Sequence, residues 1–276
     1  MPREYTDTQG AAVHSMDVSL MLEAQYDKVF KSVFDAVEHK DYRDHPAGRR
    51  QKIDYLLVDS TGRKVFVDDK ADKHLATSGN LSLELFTVSP TGIGWGWMVQ
   101  GVPAWLRYGS TESPDLIGIP MRAAKEWIAA RHREFPVVSV VNRKRAVFDA
   151  EGNRAFSHIT YNLLVPIDML LLALEDSWHL QVPEEVHQFP NPVIASEWVA
   201  RMRSVTPAEA LDRMLEGPAQ IDFVPTYSRD VVRDIVSRDR KREQNMNYIC
   251  QCKPPGYLED LFRAPPVEEL AMEADY

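Results

Sequence analysis

Two carboxylates and a lysine interrupt two neighbouring apolar segments of the chain. Asp54 lies in the first segment, and Asp68 and Lys70 lie at the end of the second. Burying ionised carboxylates alone is costly, whereas Mg²⁺ is bound well by one or two carboxylates together with water and phosphate oxygens. The metal lowers the pKa of a bound water, and a nearby lysine stabilises charge that develops on a phosphate. These three residues therefore have the chemistry of a magnesium-dependent phosphodiester-cleaving site.

The two segments are predicted to be the strands of a β-hairpin. Residues 53–58 are rich in large apolar side chains and residues 64–67 are rich in strand-forming ones. Between them, Ser60-Thr61-Gly62-Arg63 has the composition of a turn. We expect Gly62 to supply a positive φ there.

The length of the turn decides which acids face each other. Asp68 and Lys70 are two residues apart, so they point to the same face of their strand. A three-residue loop places Asp54 opposite Asp68, and a two- or four-residue loop places it opposite Asp69. The sequence alone leaves this register open.

The arrangement resembles the restriction-endonuclease-like superfamily, whose signature is PD-(D/E)-x-K. The likeness is carried by Asp54 and by Asp68-Asp69-Lys70, which follow a predicted acidic helix. Ile53 stands where the signature has proline. The likeness covers residues 17–175 and continues in Gly79-Asn80-Leu81-Ser82-Leu83-Glu84, in Gly94-Trp95-Gly96-Trp97, in a predicted strand at 115–119, in a helix from Pro120 and in a strand at 161–166.

This resemblance implies an α/β fold with a mixed central β-sheet flanked by helices, and a nuclease that depends on Mg²⁺, with Mn²⁺ as a substitute. Asp54 and Asp68 would bind the metal through their side chains, and Asp69 would add a ligand through its backbone carbonyl. Lys70 would be the catalytic lysine. Glu23, on the preceding helix, would be the acid that some members use for a second metal.

Residues around the hairpin are candidates for binding the substrate, which we expect to be DNA. The loop at 39–52 is basic and is either a phosphate contact or a solubilising surface, and the two tryptophans either stack on bases or belong to the core. The alternation of polar and apolar residues predicts that Asn80 and Glu84 share one face of a strand. The candidates are Arg49, Arg50, Lys73, Asn80, Glu84, Trp95 and Trp97.

The chain is predicted to have three parts. Residues 1–16 are a flexible N-terminus, and residues 17–180 form the nuclease-like domain, which begins with a helix at 17–38. Residues 181–276 form a mostly helical extension with a proline-rich acidic tail, which is a candidate site for a protein partner. In that extension, Thr206-Pro207-Ala208-Glu209 is a capping box with proline at the first helical position, and Gly217 is the expected end of the helix.

Composition narrows the class of protein. The net charge of −9 argues against a generic basic nucleic-acid coat protein, although a bound metal supplies local positive charge. No apolar run is long enough to span a membrane, and Cys250 and Cys252 are badly spaced for a disulfide. We therefore expect a cytoplasmic protein, or one of the host cytoplasm if a phage encodes it.

The leading interpretation is an active nuclease of phage or bacterial DNA processing, recombination, repair or defence. Two other interpretations stay open. The chain could be an inactive nucleic-acid-binding or assembly protein that keeps the same fold, or an unrelated α+β protein whose acidic hairpin is only a charged strand end. A homodimer is one expected form of the active nuclease, because two cuts in a duplex require two sites.

Overall fold

The computed structural model of the chain describes residues 26–72, 75–89, 92–110, 113–148, 154–186, 204–221, 229–241 and 245. The strands are β1 Glu38–Asp41, β2 Tyr55–Val58, β3 Lys64–Asp72, β4 Asn80–Ser89, β5 Gly92–Trp95, β6 Trp105–Ser110, β7 Asp115–Pro120, β8 Val137–Phe148, β9 Arg154–Pro166 and β10 Trp178–Gln181. The helices are α1, described over residues 26–33, α2 Pro46–Gln51, α3 Leu75–Ser78, α4 Trp97–Gln100, α5 Met121–Arg131, α6 Ile167–Ala173, α7 Pro207–Glu216 and α8 Arg229–Ser237.

These strands form two sheets. The larger sheet has the order β1-β2-β3-β6-β7-β10 and is mixed, because β3 and β6 run parallel while its other neighbours are antiparallel. The smaller sheet has the order β5-β4-β9-β8 and is antiparallel. The predicted α/β class, with a mixed sheet flanked by helices, is confirmed. The second sheet was not predicted.

The larger sheet is buried on both faces. On one face, Val65 and Val67 of β3 pack in a cluster with Phe30 of α1 and Met214 of α7. On the other face, Leu106 of β6 belongs to a cluster that includes α5 and the smaller sheet. Each fully buried aliphatic or aromatic side chain of this kind contributes about 1.5–3 kcal/mol. The centre of the sheet is therefore a rigid platform for any side chain at its strand ends.

The segment before the hairpin differs from its prediction. The helix expected to reach residue 38 ends at residue 33, and the predicted loop at 39–52 contains part of β1 and all of α2. Pairing with β2 gives this segment backbone hydrogen bonds that a free loop lacks. His45 accepts from the N–H of Ala47 at 3.3 Å to cap α2, and Lys52 ends that helix at a φ of 57°.

Two predicted elements after the hairpin have counterparts in the structure. The helix predicted from Pro120 is confirmed as α5, and the strand predicted at 161–166 is the end of β9. Among the described residues, no helix is long and apolar enough to cross a membrane.

The capping box of α7 is confirmed. The Thr206 N–H donates to Glu209 Oε2 at 2.7 Å, the Glu209 N–H donates to Thr206 Oγ1 at 3.2 Å, and Gly217 ends the helix. Ala210, Leu211 and Met214 of α7 pack in the same core cluster as α1. The predictions for residues 1–16 and for the acidic tail lie outside the described residues.

Candidate active site

The turn of the hairpin sets the register of the two acids. Gly62 has a φ of +86°, as predicted, and the Asp59 side chain accepts from the N–H groups of Thr61 and Arg63 at 2.9 Å each. Tyr55 pairs with Val67, and the N–H of the preceding Asp54 donates to the Val67 carbonyl at 3.0 Å. The loop has three residues, because the Asp59 N–H donates to the Arg63 carbonyl at 3.1 Å. Strand pairing ends at Tyr55; beyond it the Asp54 carboxylate accepts from the Asp69 N–H at 2.9 Å, and the Lys70 ammonium lies close to both Asp54 and Asp68.

Alternation along β3 gives neighbouring acids opposite roles. Asp69 points to the α1 face, where Arg107 of β6 donates two hydrogen bonds to its carboxylate, at 2.8 and 2.7 Å. Asp68 and Lys70 point to the other face. The Asp69 carboxylate therefore belongs to a buried ion pair with Arg107, and the part of Asp69 that is next to Lys70 is its backbone carbonyl.

The Lys70 ammonium lies among the oxygens that were predicted to hold a metal. It donates to Asp68 Oδ1 at 2.5 Å and to the Asp69 carbonyl at 3.1 Å, and it lies 3.8 Å from Asp54 Oδ2. Burial lowers the pKa of Lys70, but Asp68 and Asp54 outweigh that effect and raise the pKa above its ordinary value. The lysine is therefore a permanent cation at this point.

One oxygen of the Asp68 carboxylate makes no hydrogen bond to the described residues. The Asp68 side chain is 1% exposed, and this oxygen is Oδ2. Burial, with a further contribution from Asp54, raises the pKa of Asp68 well above its usual range, although Lys70 opposes the change. A buried carboxylate oxygen without a partner is costly unless a proton or a second cation satisfies it.

The donors at this point fit Mg²⁺. Among the described residues, no three His, Cys, Asp or Glu side chains converge as a metal-binding group. The donors here are instead the Asp54 and Asp68 carboxylates and the Asp69 carbonyl, all of them oxygens. Mg²⁺ is usually held by one or two carboxylates and keeps several waters, whereas Zn²⁺ sites use nitrogen and sulfur ligands and are closed by the protein.

A pocket of about 300 Å³ opens beside these residues. The charged side chains in its lining are four carboxylates and two cations, and aromatic rings form much of the rest. The lining residues are Tyr26, Asp27, Phe30, Arg43, Asp54, Tyr55, Asp69, Lys70, Ala71, Glu84 and Trp97. Of the predicted substrate-binding residues, Glu84 and Trp97 line the pocket. Trp97 is also 7% exposed and belongs to the hydrophobic core, against which Trp95 packs, so the core alternative holds for both tryptophans.

Trp97 reaches the pocket because of the glycine before it. A Cβ atom on Gly96 would lie 2.5 Å from the Glu84 carbonyl oxygen, so only glycine lets this segment approach β4 so closely. The Gly96 N–H donates to the Leu85 carbonyl at 2.8 Å. Trp97 is consequently held in the first turn of α4, with its ring centroid 5.8 Å from the Lys70 ammonium.

Other predicted site residues lie elsewhere. Asn80 donates its side-chain N–H to the Ser78 carbonyl at 2.9 Å, and Trp95 packs edge-on against Phe86. Arg49 is exposed and pairs with Asp44 at 2.7 Å. Arg50 is exposed and does not line the pocket. Glu23 and Lys73 lie outside the described residues.

Arg107 and Lys125 were not predicted, and Arg43 was predicted only as part of the basic loop at 39–52. Arg107 interrupts the buried strand Trp105–Ser110, in the same way that Asp54 interrupts an apolar segment. Arg43 lines the pocket, with its guanidinium 4.9 Å from the centroid of the Tyr55 ring. The sequence could not place Arg43 in this pocket, because the pocket brings together residues that are distant in sequence.

Lys125 should make stability depend on pH. It is fully buried on α5 and donates to the carbonyls of Val99, at 3.2 Å, and Gly101. Burial lowers its pKa from 10.5 to about 8, with Asp68 opposing the change. Between pH 8 and pH 10.5 the unfolded chain therefore binds more protons at Lys125 than the folded protein does. The contribution of Lys125 to the unfolding free energy should consequently rise with pH, by up to about 3 kcal/mol.

Urea unfolding at pH 7 and pH 10 would measure this effect. The difference in unfolding free energy between the wild type and Lys125→Met should grow in favour of the wild type as pH rises. Lys64→Met is the control, because Lys64 is exposed and its substitution should leave the difference flat. A pH-independent difference for Lys125→Met would show that the lysine stays charged when folded.

The hairpin thus combines two facing carboxylates, a fixed ammonium and an adjoining pocket. Comparisons with protein families, with curated proteins and with solved structures found no match to this chain. Function is therefore to be inferred from the chemistry of these side chains.

Proposed function

We propose that the protein is a Mg²⁺-dependent nuclease that hydrolyses phosphodiester bonds, with DNA as its favoured substrate. The observation that carries this proposal is the buried Asp68 carboxylate, whose Oδ1 accepts from Lys70 and whose Oδ2 has no partner among the described residues, with Asp54 on the same ammonium. We assign the chain a restriction-endonuclease-like fold on the order of its elements around that hairpin. A role in phage or bacterial DNA processing, recombination, repair or defence fits this reaction.

Each residue of the site has a distinct task in this proposal. Asp54 and Asp68 would hold Mg²⁺ together with the Asp69 carbonyl, and Mn²⁺ would substitute. Bound there, the metal would polarise the phosphate and lower the pKa of a bound water. Lys70 would leave its present oxygen partners, orient the attacking water and stabilise the charge that develops on the phosphate. Asp69 and Arg107 would keep the strand backbone in place.

The charge of the pocket favours this proposal over an inactive nucleic-acid-binding protein. Of the carboxylates in the lining, Asp69 is paired with Arg107 and Asp27 with Lys31. At the proposed metal position, the two carboxylates of Asp54 and Asp68 share the single ammonium of Lys70. A phosphate would be repelled by this excess of carboxylates unless a divalent cation were bound. Binding of a nucleic acid at this pocket should therefore require the metal.

A cleavage assay tests the proposal directly. Labelled linear and circular DNA, each single- and double-stranded, would be incubated with the protein in Mg²⁺, in Mn²⁺ or in excess chelator. We expect cleavage of at least one substrate with either metal and no cleavage with the chelator. Intact substrates under all metal conditions would refute the proposal.

Lys70→Ala should separate catalysis from metal binding. Loss of a single donor to a developing negative charge typically costs about 100- to 1,000-fold in rate, and we expect a loss of that size. Affinity for Mn²⁺ should not fall, because the ammonium occupies the oxygens that the metal would use. Cleavage rates and calorimetric titration with Mn²⁺ would measure the two effects.

Lys64→Ala is the matched control for this substitution. Lys64 lies at the start of the same strand and is exposed, so its loss should change neither quantity. Equal cleavage by the wild type and Lys70→Ala would exclude the proposed role of Lys70.

A further inference from the structure

A second set of polar side chains lies at the β10 edge of the larger sheet. Asp115 begins β7, and His179 lies on the neighbouring strand β10. The two residues are 0% and 1% exposed, and neither lines the pocket beside Lys70. Because buried polar groups are held by hydrogen bonds, the bonds that these two residues make define what they can do.

Asp115 holds the His179 ring in one orientation. Its Oδ1 accepts from His179 Nε2 at 2.9 Å, and its Oδ2 accepts from the Ser113 hydroxyl at 2.7 Å. An ionised carboxylate only accepts hydrogen bonds, so the proton of the neutral imidazole lies on Nε2. The other ring nitrogen, Nδ1, then carries a lone pair and is both an acceptor and a base.

Ser204 lies at that nitrogen. Its Oγ is 3.1 Å from His179 Nδ1, which is within the ~2.6–3.2 Å expected between a nucleophile and its base. Because Nδ1 is the acceptor, the hydroxyl donates its proton to the ring. The backbone fixes the serine in this place, since Ser204 and His179 form a parallel bridge and the Val205 N–H donates to the His179 carbonyl at 2.8 Å.

The three residues connect the core of the protein to its surface. Asp115 and His179 are buried, whereas Ser204 is exposed, so a molecule in solution can reach the hydroxyl that the ring polarises. Serine, histidine and aspartate with these contacts activate the serine in unrelated folds, and such a triad is identified by its geometry. Here Nδ1 contacts the serine and Nε2 the aspartate, and either nitrogen is basic when the other holds the proton.

We infer that Ser204, His179 and Asp115 form a nucleophilic site that accepts an acyl group from an activated ester. Ser204 Oγ attacks the ester carbonyl and forms a C–O bond, while His179 Nδ1 takes the hydroxyl proton. The bond to the leaving group then breaks, and the leaving alcohol takes that proton from Nδ1. Water hydrolyses the acyl-serine by the same route, and Asp115 stabilises the imidazolium that forms in each step. An activated ester is the class of substrate that places the least demand on the rest of the site, because its leaving group departs readily.

A fluorophosphonate probe tests whether Ser204 is nucleophilic. An activated serine bonds to the phosphorus of the probe and releases fluoride, and peptide mass spectrometry identifies the labelled residue. The full chain would be labelled in excess chelator, so that the proposed Mg²⁺ site takes no part. We expect Ser204 to be labelled about 100-fold faster or more than Ser60, which is an exposed serine of the hairpin turn. Equal labelling of the two serines, or no labelling of Ser204, would overturn the inference.

Hydrolysis of p-nitrophenyl acetate tests transfer of an acyl group. The wild type should release nitrophenolate about 100-fold faster or more than Ser204→Ala, and Ser60→Ala should match the wild type. Equal rates for the wild type and Ser204→Ala would exclude the site. Ser204 is exposed, so its substitution should leave the unfolding midpoint unchanged.

Asp115→Asn connects the reactivity of Ser204 to the histidine. The amide can donate to Nε2 and leave the ring proton on Nδ1, where the ring no longer accepts from Ser204. We expect labelling of Ser204 to slow about 100-fold or more, and the unfolding midpoint shows whether the variant is folded at the assay temperature. If folded Asp115→Asn were labelled as fast as the wild type, His179 would not act as the base, and the triad would be excluded.

Discussion

Asp68→Asn is expected to abolish Mg²⁺-dependent cleavage, by roughly a thousandfold or more, and to leave the protein folded. A bound metal contributes several kcal/mol of transition-state stabilisation, and each ~1.4 kcal/mol is a factor of ten in rate. The amide would remove one of the two carboxylates proposed to hold the metal. Lys70 would keep Asp54 and the Asp69 carbonyl as neighbours.

The fold should tolerate this substitution because the ionised carboxylate is itself unfavourable. Burial raises the pKa of Asp68, so the folded protein binds this proton more tightly than the unfolded chain does. The contribution of Asp68 to stability is therefore largest at low pH and is lost as pH rises through its folded pKa. At pH 8 the unfolding free energy of Asp68→Asn should equal or exceed that of the wild type, and at pH 4 this advantage should shrink.

Asp72→Asn is the matched control. Asp72 lies on the same strand and, by alternation, on the same face as Asp68, but it is bonded to the Tyr108 hydroxyl at 2.8 Å and does not line the pocket. Cleavage rates and titration with Mn²⁺ should change for Asp68→Asn and stay close to wild type for Asp72→Asn. Full activity of Asp68→Asn would rule out a metal held by this carboxylate.

Arg107→Met should lower the unfolding free energy by about 3–5 kcal/mol. Removing one partner of a buried ion pair leaves the other charge uncompensated, and Asp69 would remain beneath α1 without its bidentate donor. Burial already raises the pKa of Asp69 against the influence of Arg107. Methionine keeps an apolar chain against Phe30 and Phe34, whose ring centroids lie 4.8 and 5.2 Å from the guanidinium.

A double-mutant cycle isolates the ion pair from the packing. Adding Asp69→Asn to Arg107→Met removes the unpaired charge and should recover part of the lost stability in urea unfolding. Arg63→Met is the control for a surface pair, because Arg63 bonds Asp59 at 2.8 Å but is exposed, and its loss should cost far less stability than the loss of Arg107. Additive losses in the cycle would show that Asp69 and Arg107 are not coupled.

The hairpin was predictable because its determinants are local. Turn residues, strand-forming residues and period-two alternation all lie between Ile53 and Asp72. These patterns indicated the positive φ of Gly62 and the shared face of Asp68 and Lys70. They left the register open. In the structure, the Asp59 side chain accepts hydrogen bonds from Thr61 and Arg63 within the turn, and the two strands pair in the register that this turn allows.

The remaining features depend on contacts between distant parts of the chain. The parallel pairing of β3 with β6 brings Arg107 to Asp69, and nothing in either segment specifies the other as its neighbour. Alternation predicted the strand that contains Asn80 and Glu84, but not that this strand, β4, pairs with β9 in a second sheet. It also grouped Asn80 with Glu84, yet Asn80 is at the strand end and bonds its own loop at Ser78.

Opposite roles for Asp68 and Asp69 have an evolutionary consequence for the turn at residues 59–63. Substitutions there that preserve the turn conformation leave both acids in place. Insertion or deletion of a residue that the loop does not absorb would instead shift the pairing of β2 with β3 by one residue and move Asp54 away from its present place beside Asp68 and Lys70. Descendants of this sequence should therefore vary in the composition of this turn while its length stays constant.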